Sequence, residues 1–267
     1  MPMSLELPAT LTPSKITSFV NCPLAFRFSY IDRLPEPASP QLVLGTLVHR
    51  ALQLLFTRGL VTDRTPKNAQ GALDAAWDEL RNSEEVLGLG FDNELQSSFL
   101  HQATTLLEHY FTLEDPVSVT PVGIELDLRT ALENIELRGI IDRLDYLRNG
   151  EFAITDYKTG RSPRPEQSRA RLLGVHFYAF LCEQILKRRP REVRLMYLKD
   201  QVVIVDTPTD QTMRGLRQRA VAVWAAIEQA CIEDNFRPHR SALCKTCAFQ
   251  AFCPEFGGDP KLARCGD

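Results

Sequence analysis

Asp142, Asp156 and Lys158 are the residues of this chain best placed to do chemistry. Residues two apart on a strand share a face. Asp156 and Lys158 therefore project together from Ile154-Thr155-Asp156-Tyr157-Lys158, along with Phe152 and Ile154, while Tyr157 points away. Upstream, the segment Gly139-Ile140-Ile141-Asp142-Arg143-Leu144-Asp145 is followed by Tyr146, and Ile140, Asp142, Leu144 and Tyr146 share one face. Matching the two mostly apolar faces sets Asp142 beside Asp156. A two-residue loop at Asn149-Gly150 would put the carboxylates on opposite faces; a three-residue loop over 148–150, or a bulge, puts them together, and we expect the latter. Paired carboxylates on an apolar face repel and are costly to bury. A divalent cation with a preference for hard oxygen ligands, Mg²⁺ or Mn²⁺, resolves that cost. An adjacent ammonium serves a phosphate or an activated water. These are the parts of metal-assisted phosphodiester hydrolysis. Asp-x-Lys alone reads as a solvated surface pair; the apolar flanks and the second acidic strand strengthen it.

Two further groups could join that chemistry. Gly45 and His49 lie four apart on a predicted helix and share a face, the glycine leaving room beside the imidazole for a metal or a neighbouring backbone. A lone His on an apolar helix is otherwise a core residue. Glu125, in Val122-Gly123-Ile124-Glu125, is an acid in an otherwise apolar strand start. Separately, Cys244-x₂-Cys247-x₅-Cys253-Pro254 gathers three of the seven cysteines near the C-terminus, and Cys22-Pro23 supplies a distant fourth. Together they make a four-thiolate site that would fasten the chain ends. Zn²⁺ and an iron–sulfur cluster both suit soft thiolates in a reducing cytosol. Zinc usually takes two paired-Cys knuckles, so the one-plus-three spacing favours [4Fe–4S]. Cys182 and Cys231 read as buried thiols on helices, and Cys265 as a free one.

The elements that must position these residues follow from periodicity and caps. Helices are predicted over 12–30, 41–58, 68–81 and 93–113, with a proline-rich loop at 33–40. Strands follow over 117–130, 135–147 and 151–157, then a helix over 166–188, strands over 192–198 and 202–206, and a helix over 210–234. The tail from Phe236 is Cys-rich and irregular. This order predicts one α+β (α/β) domain over 1–267, with a helical subregion at 41–115, a sheet core at 117–206 and a clasp at 236–256 with Cys22. With 31 basic and 34 acidic residues the net charge is −3, so any nucleic-acid partner must meet a local patch. No run of about 18 apolar residues suggests a membrane span, no secretory leader is visible, and the expected location is cytoplasmic.

Taken together, these residues resemble the RecB-like branch of the PD-(D/E)XK nuclease superfamily. More narrowly they look like its iron–sulfur members, the AddB nuclease domain and the CRISPR-adaptation exonucleases. Gly45 and His49 match the Gly-x-x-x-His motif, Gly139, Asp142, Arg143 and Asp145 match Gly-x-x-Asp-Arg-x-Asp, and 156–160 match Asp-Tyr-Lys-Thr-Gly. The resemblance implies a restriction-endonuclease-like mixed sheet flanked by helices. It implies that His49, Asp142 and Asp156 bind the catalytic metal, Mg²⁺ or Mn²⁺, that Glu125 belongs to the site, and that Lys158 activates water. Cys22, Cys244, Cys247 and Cys253 would hold a structural [4Fe–4S] cluster. Of the family's Gln-x-x-x-Tyr motif, Tyr178 is present but Gly174 replaces the Gln, with His176 nearby. No Gly-x-x-x-x-Gly-Lys-Ser/Thr loop is present, so no ATP-driven motor is encoded. The implied activity is a DNA exonuclease acting on single strands or ends, in repair or recombination, with any unwinding supplied by a separate helicase. A catalytically weak or inactive nuclease fold that binds DNA or a helicase is the alternative.

A route for DNA is visible in the charge. Residues 161–194 hold nine basic and three acidic residues, net +6, which leaves −9 for the rest. Arg161, Arg164, Arg169 and Arg171 are the nearest candidates for phosphate contacts. Lys187, Arg188, Arg189 and Arg191 read equally well as a solvated helix end.

Overall fold

The computed structural model describes residues 5–164 and 168–264, the side chains of 168–171 and 264 excepted. Helix α1 (Pro13–Asn21) begins as predicted: the Thr12 hydroxyl accepts the Lys15 N–H at 3.2 Å and Pro13 takes the first helical position. It does not run on to residue 30. A residue preceding proline is driven out of the helical region, and Cys22, at φ −162° and ψ 105°, breaks the helix before Pro23. A short α2 (Pro23–Phe26) and one π-helical turn (Arg27–Ile31) follow. Cys22 thus sits between helices, not on the first one.

Helices α3 (Pro40–Thr57), α4 (Pro66–Leu80), the single turn α5 (Glu84–Leu87) and α6 (Asn93–Leu113) come next. Gly59, at φ +73°, supplies the left-handed residue just beyond α3. The turn α5 has the Ser83 hydroxyl as its cap and Glu84 and Glu85 in its first turn, but four residues carry no periodicity to predict it.

Five strands form one sheet in the order β1 (Pro121–Leu132), β2 (Ile135–Tyr146), β3 (Phe152–Lys158), β4 (Glu192–Tyr197), β5 (Val202–Asp206). β2 and β3 are antiparallel, as are β4 and β5, while β3 and β4 are parallel and joined through α7 (Ser168–Leu186). Helix α8 (Asp210–Glu233) follows β5. This is the mixed α/β sheet the sequence predicts. β1 begins later than expected because Pro116 opens a 3₁₀ turn, capped by the Asp115 carboxylate on the Val117 N–H at 3.0 Å.

The chain packs into two compact units. One comprises Ala38–Leu128 and Gly139–Asp210. Its core joins α3, α4 and α6, through Leu47, Leu52, Leu73, Ala103 and Tyr110, to Tyr157, Met196 and Leu198. The other comprises Met1–Pro37, Arg129–Arg138 and Gln211–Asp267. There Leu11 bridges Leu137 in parallel, and the buried Arg27 pairs with Asp32 at 2.9 Å and Asp234 at 3.1 Å. Among the described residues no helix is long and apolar enough to cross a membrane.

Candidate active site

The β2–β3 hairpin decides whether the carboxylates meet. Arg143 pairs with Thr155 and Tyr146 with Phe152, and the Leu147 N–H donates to the Glu151 carbonyl at 2.8 Å. The loop is therefore the three-residue one, 148–150, with Gly150 at φ +82°. One further step of that register sets Asp142 opposite Asp156. The ladder ends at Arg143, and the Asp142 Oδ2 accepts the Tyr157 N–H at 2.7 Å. A side-chain carboxylate thus replaces a strand carbonyl, which fixes its orientation.

Helix α3 brings His49, whose Nδ1 lies 3.4 Å from the Asp142 Oδ1. A Cβ on Gly45, one turn earlier, would stand 3.5 Å from the Thr159 Oγ1, so α3 runs close past the end of β3. Glu125 arrives by a device that the sequence did not disclose. It takes φ +49° within β1, a left-handed backbone costly for a residue with a Cβ. Inward positions run 121, 123 before it and 126, 128, 130, 132 after it. One extra residue has switched the parity, as a β-bulge does. The result is that ligand atoms of His49, Glu125 and Asp142 all lie within 4.8 Å of one another. The Asp156 carboxylate, 4% exposed, turns instead to the Lys158 ammonium as an ion pair, without an aligned hydrogen bond on its Oδ2. Glu125, marginal from sequence, thus joins the trio, whereas Asp156 faces the lysine.

The electrostatics are those of an overfilled carboxylate site. Burial, reinforced by the charges of Asp142 and Asp156, pushes Glu125 up to about 7. Burial and the Asp142 charge push Asp156 up to about 6 against the pull of Lys158. Burial acts to lower His49 and Lys158, but Asp142 and Asp156 outweigh it and raise both. Two acids held above the usual carboxylate range, with the Asp142 carboxylate and an imidazole beside them, form the oxygen-and-nitrogen donor set a divalent cation requires.

Tyr178 on α7 belongs to the same surroundings: burial first, then the charges of Asp156, Asp142 and Glu125, raise its phenol. Its ring rests on Gly139 of β2, where a Cβ would lie 2.9 Å from two ring carbons and 2.8 Å from the Leu181 Cδ1. Gly139→Ala should therefore displace Tyr178 and α7, costing about 1–3 kcal/mol of stability and reducing site activity at least tenfold. Gly45→Ala, which meets only ordinary contact, should leave stability within about 0.5 kcal/mol. Thermal melts and activity assays of the two variants check this. His176 does not replace the missing Gln; its Nε2 lies 2.7 Å from the Asp206 Oδ2 on β5.

Arg161 and Arg164 are exposed. Arg169 and Arg171 lie on the first turns of α7, with side chains outside the described residues. Arg189 is committed to Glu183 and Asp210 at 2.8 Å each, and Arg188 lies over the Phe152 ring, 5.6 Å from its centroid.

In the other unit Cys22, Cys244, Cys247 and Cys253 line one open pocket with Phe28 and Phe249. The His239 and Ser241 N–H groups donate to the Cys22 and Cys244 sulfurs, each at 3.4 Å. Cys182 and Cys231 are buried free thiols, and Cys265 lies outside the described residues.

Residues 10–254 match the sequence model of the PD-(D/E)XK nuclease superfamily, and the chain belongs to that superfamily. It is 22% identical to the Gene 69 protein of Mycobacterium phage D29 across 91% of this chain and 96% of that protein. A second relative is a subunit of the ATP-dependent helicase/deoxyribonuclease from Streptococcus mutans. The identity is 25% over 167 residues, which are 59% of this chain and only 15% of that protein. Among solved structures, a protein assigned as an exonuclease from Eubacterium rectale shares the fold. Its TM-score is 0.51 at 11% identity, covering 90% of this chain and 87% of that one.

Proposed function

We propose that this protein is a Mg²⁺- or Mn²⁺-dependent DNA exonuclease that acts on single strands or ends and carries a structural [4Fe–4S] cluster. The convergence of His49, Glu125 and Asp142 ligand atoms within 4.8 Å, beside the Asp156–Lys158 pair, carries the assignment. His49, Glu125 and Asp142 would hold the cation, with Asp156 at its margin. A bound divalent cation supplies Lewis acidity toward the scissile phosphate and lowers the pKa of water. The chain's own groups do the rest. Asp156 keeps Lys158 charged and aimed, so that the ammonium meets the attacking oxygen or the phosphate. The Tyr157 N–H holds the Asp142 carboxylate in one orientation. Tyr178, whose phenol on α7 feels the charges of Asp156, Asp142 and Glu125, would supply a hydroxyl to the phosphate or to water. The exposed Arg161 and Arg164, with Arg169 and Arg171, would receive the DNA backbone.

Several features support the finer points. The helicase/deoxyribonuclease relative favours DNA as substrate and a separate helicase as partner in repair or recombination. A single tetrahedral ion about 2.3 Å from each sulfur would draw four thiols together; the one-plus-three spacing of the cysteines favours a larger inorganic core. Labelled single- and double-stranded DNA, incubated with Mn²⁺ or Mg²⁺ and then with chelator, tests the activity. Processive loss of label from single strands, abolished by chelator, is expected; inertness of cluster-loaded protein with both metals would overturn it.

The acid groups also dictate a pH dependence. Glu125 and Asp156, raised in the folded chain, take up protons on folding, so their contribution to stability falls as pH rises from about 4 to about 7. The raised His49 acts in the same sense, since its favourable contribution is lost as pH rises through its folded value. A divalent cation replaces those protons. Mn²⁺ at about a hundred times its Kd should raise Tm by roughly 5 °C near pH 8 and by less than about 1 °C near pH 5. Equal shifts at both pH values would refute the linkage.

A further inference from the structure

Behind the carboxylates, on the opposite face of the β2–β3 hairpin, lies a charged network that the sequence motifs named but did not explain. Arg143 is 0% exposed. Its Nε donates to the Asp145 Oδ1 at 2.8 Å and its Nη2 to the Glu114 Oε2 at 2.9 Å. Its Nη1 donates to the Glu114 Oε1 and to the Tyr157 hydroxyl, the latter at 2.6 Å. Thr155 closes the set, receiving from Arg143 Nη2 at 3.3 Å and donating to Asp145 at 3.2 Å. The guanidinium also stacks over Phe56, 4.7 Å from the ring centroid. One side chain therefore ties β2, β3, α3 and α6 together within the same unit.

Tyr157 links that network to the site. Its hydroxyl accepts from Arg143, its ring meets His49 edge-on at 6.0 Å, and its N–H holds the Asp142 Oδ2 at 2.7 Å. Two of the three candidate ligands thus touch one residue, and that residue is clamped from behind by a buried guanidinium. A buried Arg paired with two carboxylates contributes little net stability compared with apolar packing. It contributes direction: a rigid planar fork with five fixed donors. Groups that orient metal ligands from behind typically change metal affinity or activity 10–100-fold when removed.

We propose that Arg143, acting through Tyr157, is a positioning residue that sets the orientation of Asp142 and His49 for the metal. This rests on the metal site proposed above. Tyr157→Phe isolates the coupling, because the ring, the N–H and the other Arg143 partners all remain. Mn²⁺ affinity, read from free Mn²⁺ by electron paramagnetic resonance, should fall about tenfold, and kcat should fall with KM for single-stranded DNA unchanged. The far-ultraviolet circular dichroism should stay that of wild type. Glu114→Gln, at the far side of the guanidinium, should move the same quantities by about threefold, and it decides the matter should the Phe variant not fold. Folded variants with wild-type Mn²⁺ affinity and kcat would overturn the proposal. If wild type and Asp142→Asn bind Mn²⁺ equally, it is the metal site that fails, so the two failures are distinguishable.

Discussion

Asp142→Asn and Lys158→Ala should each reduce DNA degradation at least about a thousandfold, which is about 4 kcal/mol of transition-state stabilisation, while the chain remains folded. The asparagine keeps an oxygen to accept the Tyr157 N–H at the 2.7 Å position, so the hairpin is not disturbed. What it removes is one of the charges that offset a cation. The Lys158 side chain is 43% exposed, so its truncation opens no cavity in the core. What is lost is the ammonium paired with Asp156. Because each change acts where charge develops during phosphodiester cleavage, the loss should lie in kcat with KM for DNA moving less than about threefold. Removing one of several mutually repelling acids should also hold or raise the Tm of the metal-free chain. Either variant degrading DNA at the wild-type rate would refute the assignment; so would a loss that tracks unfolding.

Cys22→Ala and Cys253→Ala should each abolish iron and sulfide content and visible absorbance, and should release the segment beyond Phe236 to proteolysis. Between residues 241 and 256 only Phe249 is buried, and the segment is made of single 3₁₀ turns that bury nothing of their own. So little apolar burial cannot offset the entropy of ordering the chain, at about 1–2 kcal/mol per residue. In the proposed reading, the group held by the four thiols supplies the difference. Inorganic sites in comparably small folds contribute on the order of 10 kcal/mol, so loss of one thiolate should melt the segment outright. Cys182→Ala is the contrast. That thiol is 0% exposed on α7 and lies outside the clasp. It should cost about 1–2 kcal/mol through the cavity it leaves and retain full iron. Wild-type protein with one zinc and no sulfide would replace the cluster by a zinc clasp.

The local devices were legible. Thr12 and Pro13 open α1, Gly59 follows α3, and α6 and β5 fall over 93–113 and 202–206 as read. All depend on residues within one turn or one strand pair, where capping, fixed φ and side-chain alternation act. The three-residue hairpin loop was legible for the same reason: two apolar faces had to match across a few residues. The break at Cys22 is hidden although Pro23 signals it, because the apolar pattern runs across it.

The sequence by itself determined which residue types are present, in which order, and which of them share a face along β2 and β3. It could not determine that Glu125 would turn inward, because a left-handed residue in β1 has no glycine or asparagine to announce it. Nor could it seat Tyr178 on Gly139 or bury Arg143 against Glu114. Those outcomes join residues tens of positions apart, through a parallel β3–β4 pair and helices packed on the sheet. Periodicity is set by neighbours along the chain. Convergence is set by how whole elements pack, and only the tertiary structure fixes that.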